Sequence, residues 1–162
     1  MIRKVSPQDA RDITEIYNYY ILHTTVTFET EALSVSEMQQ RIEKISSEFP
    51  YFVHESEGRV DGYCYVHQLG ERAAFKGSVE ISAYILHGFT GKGIGSGLFK
   101  KMTDECRSRG YRAIFSLVTA DNAASQTLSR KFGFEQVGRL KNAGLKFGKL
   151  LDLLYFELLL QE

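Results

Sequence analysis

Gly88, Gly91, Gly93, Gly95 and Gly97 place five of the chain's 14 glycines in one ten-residue stretch. The alternating run from Ser78 to Leu86 precedes them, and Leu98, Met102 and Cys106 follow at helical spacing. Glycine at a strand-to-helix junction tolerates positive φ and lets backbone N–H groups converge on an anion at the positive end of the helix dipole. A tight turn needs only one or two glycines, so the cluster reads as an anion-binding loop. Spacing narrows the anion. A P-loop requires G-x-x-x-x-G-K-[ST], but Gly91-Lys92 is followed by Gly93, and Leu86 stands five positions before Gly91. A dinucleotide fingerprint G-x-G-x-x-G fails at Ser96 and Leu98, where its third glycine would fall. Nucleoside triphosphates and NAD are both disfavoured.

Other residue types give less. His23, His54, His67 and His87 show no ligand spacing, so no metal site is expected. Cys64 and Cys106 are too few and too far apart for a disulfide framework or a zinc cluster, and read as small buried apolar residues.

The elements that must position these groups follow from periodicity. Ile2 to Val5 predicts a first strand. Ser6-Pro7 then opens a helix whose inward face is Ala10, Ile13, Ile16, Tyr17 and Tyr20. Thr24 to Glu29 lacks a period and reads as a loop or irregular strand. Ser34-Val35-Ser36-Glu37 resembles a capping box, opening a helix that carries Met38, Ile42 and Ile45 and stops near Pro50. Tyr51 to His54 and Arg59 to His67 form a hairpin around Glu57-Gly58. The run from Ser78 to Leu86 buries Val79, Ile81, Ala83 and Ile85 on one face and turns Glu80, Ser82 and Tyr84 to the other. A helix ends at Gly110, a strand covers Ala113 to Val118, and a short helix covers Asn122 to Phe132. Phe134 to Leu140 and Leu150 to Leu160 supply closing strands. The order β-α-α-β-β-β-α-β-α-β-β predicts a mixed sheet with helices on both faces, α/β or α+β in class.

Length and composition bound the rest. The 162 residues are 43% hydrophobic, carry 20 Lys+Arg against 20 Asp+Glu, and suit one domain over 1–162. Zero net charge argues against nucleic-acid or anionic-membrane partners. The first residues show no apolar signal region, so the expected compartment is the cytoplasm. Charge is unevenly placed: eight acids face three bases from Glu29 to Asp61, and six bases face two acids from Gly88 to Arg112. The basic run suits phosphates, and Glu29 suits a cationic amine.

Gly91-Lys92-Gly93-Ile94-Gly95-Ser96 resembles the pyrophosphate loop of the GNAT N-acetyltransferase superfamily. Asn122-Ala123-Ala124-Ser125 and Lys131-Phe132-Gly133-Phe134-Glu135 are similar to its second cofactor motif. Ile16 to Tyr20, Thr24 to Glu29, Arg72 to Phe75, Ser78 to Tyr84 and Gly144 to Gly148 resemble the phosphinothricin and methionine-sulfoximine acetyltransferases, a likeness running from about residue 2 to about 160.

The resemblance implies a mostly antiparallel sheet of six to seven strands, acetyl-CoA as co-substrate, no metal, and a homodimer. Acetyl transfer to the amine of a small amino-acid-like substrate would be direct. Backbone groups of Tyr84, Ile85 and Leu86 would align the pantetheine. Gly91 to Ser96, with Lys92, would hold the pyrophosphate, and Asn122, Ser125 and Lys131 would complete the cofactor site. Glu80 is the candidate base for an amine that is otherwise protonated at neutral pH. Arg72 would pair with the substrate's carboxylate or phosphinate. Ala73, Phe75, Phe28, Glu29 and Ser82 would line the pocket, although pattern alone assigns Phe28 and Phe75 to the core. The chain departs from the family at Thr90, at Ser129, where relatives carry a tyrosine or histidine acid, and after Gly148, since it has no tryptophan. A protein amine as acceptor, or a CoA-binding sensor without catalysis, are the other readings.

Overall fold

A computed structural model describes residues 1–161. Seven strands form one sheet: β1 Ile2–Lys4, β2 Tyr51–Ser56, β3 Arg59–Gln68, β4 Ser78–Ile85, β5 Ala113–Thr119, β6 Glu135–Lys146 and β7 Lys149–Leu159. Four helices accompany them: α1 Ala10–His23, α2 Val35–Ser46, α3 Ile94–Ser108 and α4 Ala123–Lys131. Strand order is β1-β2-β3-β4-β5-β7-β6. Every neighbouring pair is antiparallel except β4 and β5, which α3 connects. A parallel pair needs such a crossover, and a hairpin does not.

Strand alternation sends side chains to two cores. Val79 and Ile81 of β4 join Cys64 and Val66 of β3 beneath α3, with α4 packed against the same cluster. Tyr63 of β3 and Val53 of β2 lie under α1 and α2, with Tyr84 packed against them. Both cysteines are free and buried in or beside the α3 core. Burial pushes the Cys106 thiol up to about 12 and Cys64 well above the usual range, so neither is a thiolate nucleophile.

The capping box at Ser34 forms as its sequence indicates: Glu37 N–H donates to Ser34 Oγ, and Ser34 N–H donates to Glu37 Oε2. Two boundaries differ from the periodicity. Pro7–Asp9 is a separate 3₁₀ turn ahead of α1, closed because the Asp9 carboxylate takes the Ser6 N–H and the Arg3 guanidinium. The last hairpin is longer than expected, with β6 continuing past Leu140 to Lys146 through an irregularity before Gly144. There Asn142 has φ 51°, and its N–H donates to the Asp152 carboxylate, which Arg139 also holds. The polar residues of that bulge break the alternation that marks a strand.

Gly62 of β3 sets the approach of α3 to the sheet. A Cβ there would meet Ile94 at 2.8 Å, Ile85 at 2.9 Å and Leu98 at 3.3 Å. Gly62→Ala should therefore lower unfolding stability by about 1–3 kcal/mol through overpacking. Denaturant titration of the variant against the parent measures this; equal midpoints would show that the helix lifts without cost.

Candidate active site

β4 and β5 pair over only three residues, Ser78 to Glu80 with Ala113 to Phe115. Beyond them the strands part. β3 stays paired to β4 as far as Ile85, and β7 stays paired to β5 as far as Thr119. A cleft of about 550 Å³ opens where they separate, lined by Ala83 and Ile85 on one side and by Ser116, Leu117 and Asn122 on the other. Its floor has a free strand edge. The Leu86 N–H donates to the Asp61 carbonyl at 2.8 Å. Antiparallel alternation then commits Tyr84 and Leu86 to β3 and turns the backbone groups of Ala83 and Ile85 toward the opening. The Leu86 carbonyl accepts from Phe89 N–H, and the Ile85 carbonyl accepts from the Tyr20 hydroxyl at 2.6 Å. Of the backbone expected to align an extended ligand, Tyr84 and Leu86 are thus already committed to β3 and only the Ile85 N–H is open; Ala83, which the sequence did not single out, is open beside it.

The glycine loop forms the mouth. Gly91 and Gly93 have φ of 77° and 81°, a region costly for other residues, and Gly93 is the N-cap of α3. The opening N–H groups of a helix have no intrahelical acceptor, so Ile94, Gly95 and Ser96 offer theirs to the cleft. Lys92 lies 4.3 Å from the Phe89 ring centre, and Lys131 Nζ donates to Ser96 Oγ at 2.9 Å. Asn122 accepts the Ser125 N–H on Oδ1, leaving its NH₂ free for a ligand. Backbone donors, Lys131 and an open strand edge fit a diphosphate with an amide-bearing arm, and Lys92 borders the adjoining cavity on the other side of the glycine loop.

The basic run is distributed differently from its sequence reading. Lys100 pairs with Asp104, Arg109 with Glu105, and Lys101 lies over Phe52. Only Lys92 of that segment borders the glycine loop's cavities, with Lys131 from α4 as the second cation.

On the α1/α2 side of the sheet, Glu80 is the cross-strand partner of His67, with Oε2 3.7 Å from Nε2. Burial pushes the Glu80 carboxyl above its ordinary range, and His67 partly opposes the shift. Ser82 and Tyr84 follow on the same face, and Tyr84 packs 5.0 Å from the Tyr17 ring. Glu29 faces this side but is already paired. Arg41 of α2 clamps it with N–O distances of 2.6 and 2.9 Å, and the Tyr17 hydroxyl donates to it. The guanidinium first, then the Tyr17 hydroxyl, hold the Glu29 carboxyl below its usual range. Lys146 of β6 is buried and donates to the Thr27 carbonyl at 2.8 Å, fixing the same segment from below.

Phe28 and Phe75 are not core: they are 39% and 40% exposed. Phe28 packs its ring against Gly144, where an added Cβ would come within 2.5 Å of the ring and displace it. Arg72 caps the 3₁₀ turn Ala73–Phe75, is exposed, and has no ion-pair partner among the described residues. Ser129 is fully buried 3.4 Å from Ser116 Oγ and does not border the cleft, so it offers no proton donor there. The sequence reading missed Tyr20, Arg41 and Lys146, whose partners are distant in the chain. It also gave His67 no partner. Among the described residues no group of three or more His, Cys, Asp or Glu side chains could hold a metal, and no helix is long and apolar enough to cross a membrane.

A model of the acetyltransferase (GNAT) domain matches residues 2–155. The L-methionine sulfoximine/L-methionine sulfone acetyltransferase of Salmonella typhimurium is 32% identical over 99% of this chain and 95% of that one. The phosphinothricin N-acetyltransferase of Streptomyces coelicolor is 28% identical over 96% and 94%. A phosphinothricin acetyltransferase from Sinorhizobium meliloti, solved in complex with acetyl-CoA, superposes with a TM-score of 0.95 at 33% identity over 98% of this chain and 87% of that one.

Because Arg41 keeps Glu29 ionised, the stability it confers exists above the unfolded carboxylate pKa and is lost as pH falls through the lower folded value. Arg41→Met should therefore melt below the parent at pH 7, with the gap closing in acid. Thermal melts from pH 3 to 7 test this; a pH-independent gap would mean that Arg41 acts by packing alone.

Proposed function

The chain belongs to the acetyltransferase (GNAT) family and is an acetyl-CoA-dependent N-acetyltransferase, and we propose that the residues assembled above carry out that reaction on a small amino acid. The observation that carries the assignment of roles is the parting of β4 and β5 directly after Glu80, with the glycine-loop amides at its mouth.

Acetyl-CoA supplies an acyl thioester. Gly91 to Ser96 and Lys92 bind the pyrophosphate, with Lys131 beside it. Ala83, Ile85 and Asn122 hold the pantetheine arm as a surrogate strand, and Tyr84 and Ser125 shape its walls. An ammonium group must lose one proton before it can attack. Glu80 accepts it, directly or through one water, and its raised proton affinity suits that task at neutral pH. The second amine proton leaves as the amide forms and ends on the thiol. With Ser129 buried, the sulfur departs as a thiolate, which is feasible for a group whose pKa is about 8.5. The stoichiometry is R–NH₃⁺ plus acetyl thioester to acetamide, thiol and one proton. With both cysteines protonated and buried, no thiol nucleophile is at hand for a covalent acyl-enzyme.

Arg72, free of an acidic partner, binds the carboxylate or phosphinate of the substrate. Phe28, Phe75 and Ala73 enclose its side chain, and Ser82 completes the wall beside Glu80. Glu29, balanced by Arg41, offers a hydrogen-bond acceptor to the amine rather than a bare charge. Residues 1–162 work as one acetyltransferase domain. The exposed Leu140, Leu145 and Leu150 of β6 and β7, with Phe147 in the turn between them, support a homodimer through that hairpin. Two free cysteines suit the reducing cytoplasm.

Purified protein with acetyl-CoA and methionine sulfone or phosphinothricin should release thiol. Glu80→Gln should slow this about 10²-fold or more and abolish the acidic limb of kcat. Since the raised Glu80 pKa means that its ionisation opposes folding at higher pH, the variant should melt no lower than the parent at pH 8. An intact acidic limb would remove Glu80 from the mechanism.

A further inference from the structure

A partly buried base must discharge its proton before the next turnover, and Glu80 has a more exposed neighbour in its own ladder through which to do so. His67 is its direct cross-strand partner, so both side chains leave the same face of the sheet. His67 Nε2 lies 3.7 Å from Glu80 Oε2, and the other ring nitrogen, Nδ1, lies 3.0 Å from the Gln68 carbonyl oxygen. A carbonyl only accepts, so Nδ1 carries the hydrogen in the neutral ring. Nε2 then presents its lone pair to Glu80. Exposure grades outward along the pair: the Glu80 side chain is 23% exposed and the His67 side chain 39%.

We propose that His67 is a positioning residue that receives the amine's proton from Glu80 and passes it to solvent. This rests on the assignment of Glu80 as the base. In the first step the substrate N–H bond breaks and an O–H bond forms on Glu80, giving a neutral amine and a carboxylic acid. That O–H then breaks as an N–H bond forms at His67 Nε2, regenerating the carboxylate and giving an imidazolium still bonded to Gln68. Loss of the Nε2 proton to water returns the neutral ring. Nothing is oxidised or reduced, and the net transfer is one proton from ammonium to water. The direction of the Glu80 shift supports the route, since desolvation raises its proton affinity while His67 draws it back.

Few other charges intrude. Tyr65, two residues before His67 on β3, has its ring 6.2 Å from the imidazole. Arg41 of α2 and Glu29 act on Tyr65. Phe115 of β5, next to Glu80, is uncharged, and Glu157 of β7 is one strand farther in the same row. Arg72 lies in the loop beyond Gln68, whose amide donates to its carbonyl.

The test uses His67→Gln, Glu80→Gln and the double variant, with kcat and KM for methionine sulfone and acetyl-CoA measured from pH 5.5 to 9.5. His67→Gln should lower kcat about tenfold at pH 7 with both KM values within about twofold, a modest share of the usual acid–base contribution. Its pH profile should shift, and added imidazole should restore most of the rate, because the site is open to water. In the Glu80→Gln background the same change should have no further effect. A His67→Gln enzyme with the parent's kcat and pH profile overturns the relay while leaving Glu80 as base. So does a loss that imidazole does not restore, or an equal loss in both backgrounds. An unchanged acidic limb in Glu80→Gln instead overturns the assignment of Glu80, and the relay with it.

Discussion

The separation of β4 from β5 is the constraint on which the rest of the molecule depends. Two parallel strands would ordinarily continue pairing, but here each has an antiparallel neighbour that satisfies it on its outer edge along its full length. The three shared pairs from Ser78 to Glu80 therefore act as a hinge-like seam joining two self-sufficient half-sheets. Past the seam, backbone polar groups would be stranded without water or a partner, and burying them unpaired would cost several kcal/mol. The fold keeps them at the wall of an open cleft, and the helix that must cross from β4 to β5 delivers its own unpaired N–H groups to the same opening. One topological requirement thus produces both halves of the proposed cofactor site.

Glu80 occupies the last residue of the seam. That position suits a carboxylate on a regular strand to the proposed role of base. It is close enough to the sheet interior to be desolvated, yet it stands where the wall ends and substrate can reach it. The face it occupies is crowded with tyrosines from β2, β3, β4 and α1, which supply bulk and hydroxyls but no competing charge near the carboxylate. Charge is instead tied up one layer out, where Arg41 balances Glu29 and Lys146 caps the Thr27 carbonyl.

Local signals in the sequence foretold much of this. The glycine junction, the Ser34 box and the alternation around Glu80 each depend on residues within one element, and each forms as read. The order of strands and helices follows from the same short-range patterns. What escaped reading depends on partners brought together by the fold. Lys146 and Thr27 are 119 positions apart, and Arg41 meets Glu29 only because α2 packs over the irregular segment after α1. Phe28 and Phe75 misled because aromatic residues in a pattern look like core, whereas both sit in connecting segments that leave them about two-fifths exposed. The basic run misled in the opposite sense: its charges recur at helical spacing and find acids on their own helix.

The open edge at Ala83 and Ile85 has a thermodynamic corollary. A ligand that docks there as an eighth, non-peptide strand binds the folded chain and not the unfolded one. Occupancy and folding therefore share one equilibrium, and a pool at a hundred times the dissociation constant adds about 2.7 kcal/mol to the folded state. Acetylated and free carriers both present the same arm, so turnover does not interrupt this protection. Starvation for the carrier does. Fold stability is thereby linked to the total size of the carrier pool, through a gap between two strands.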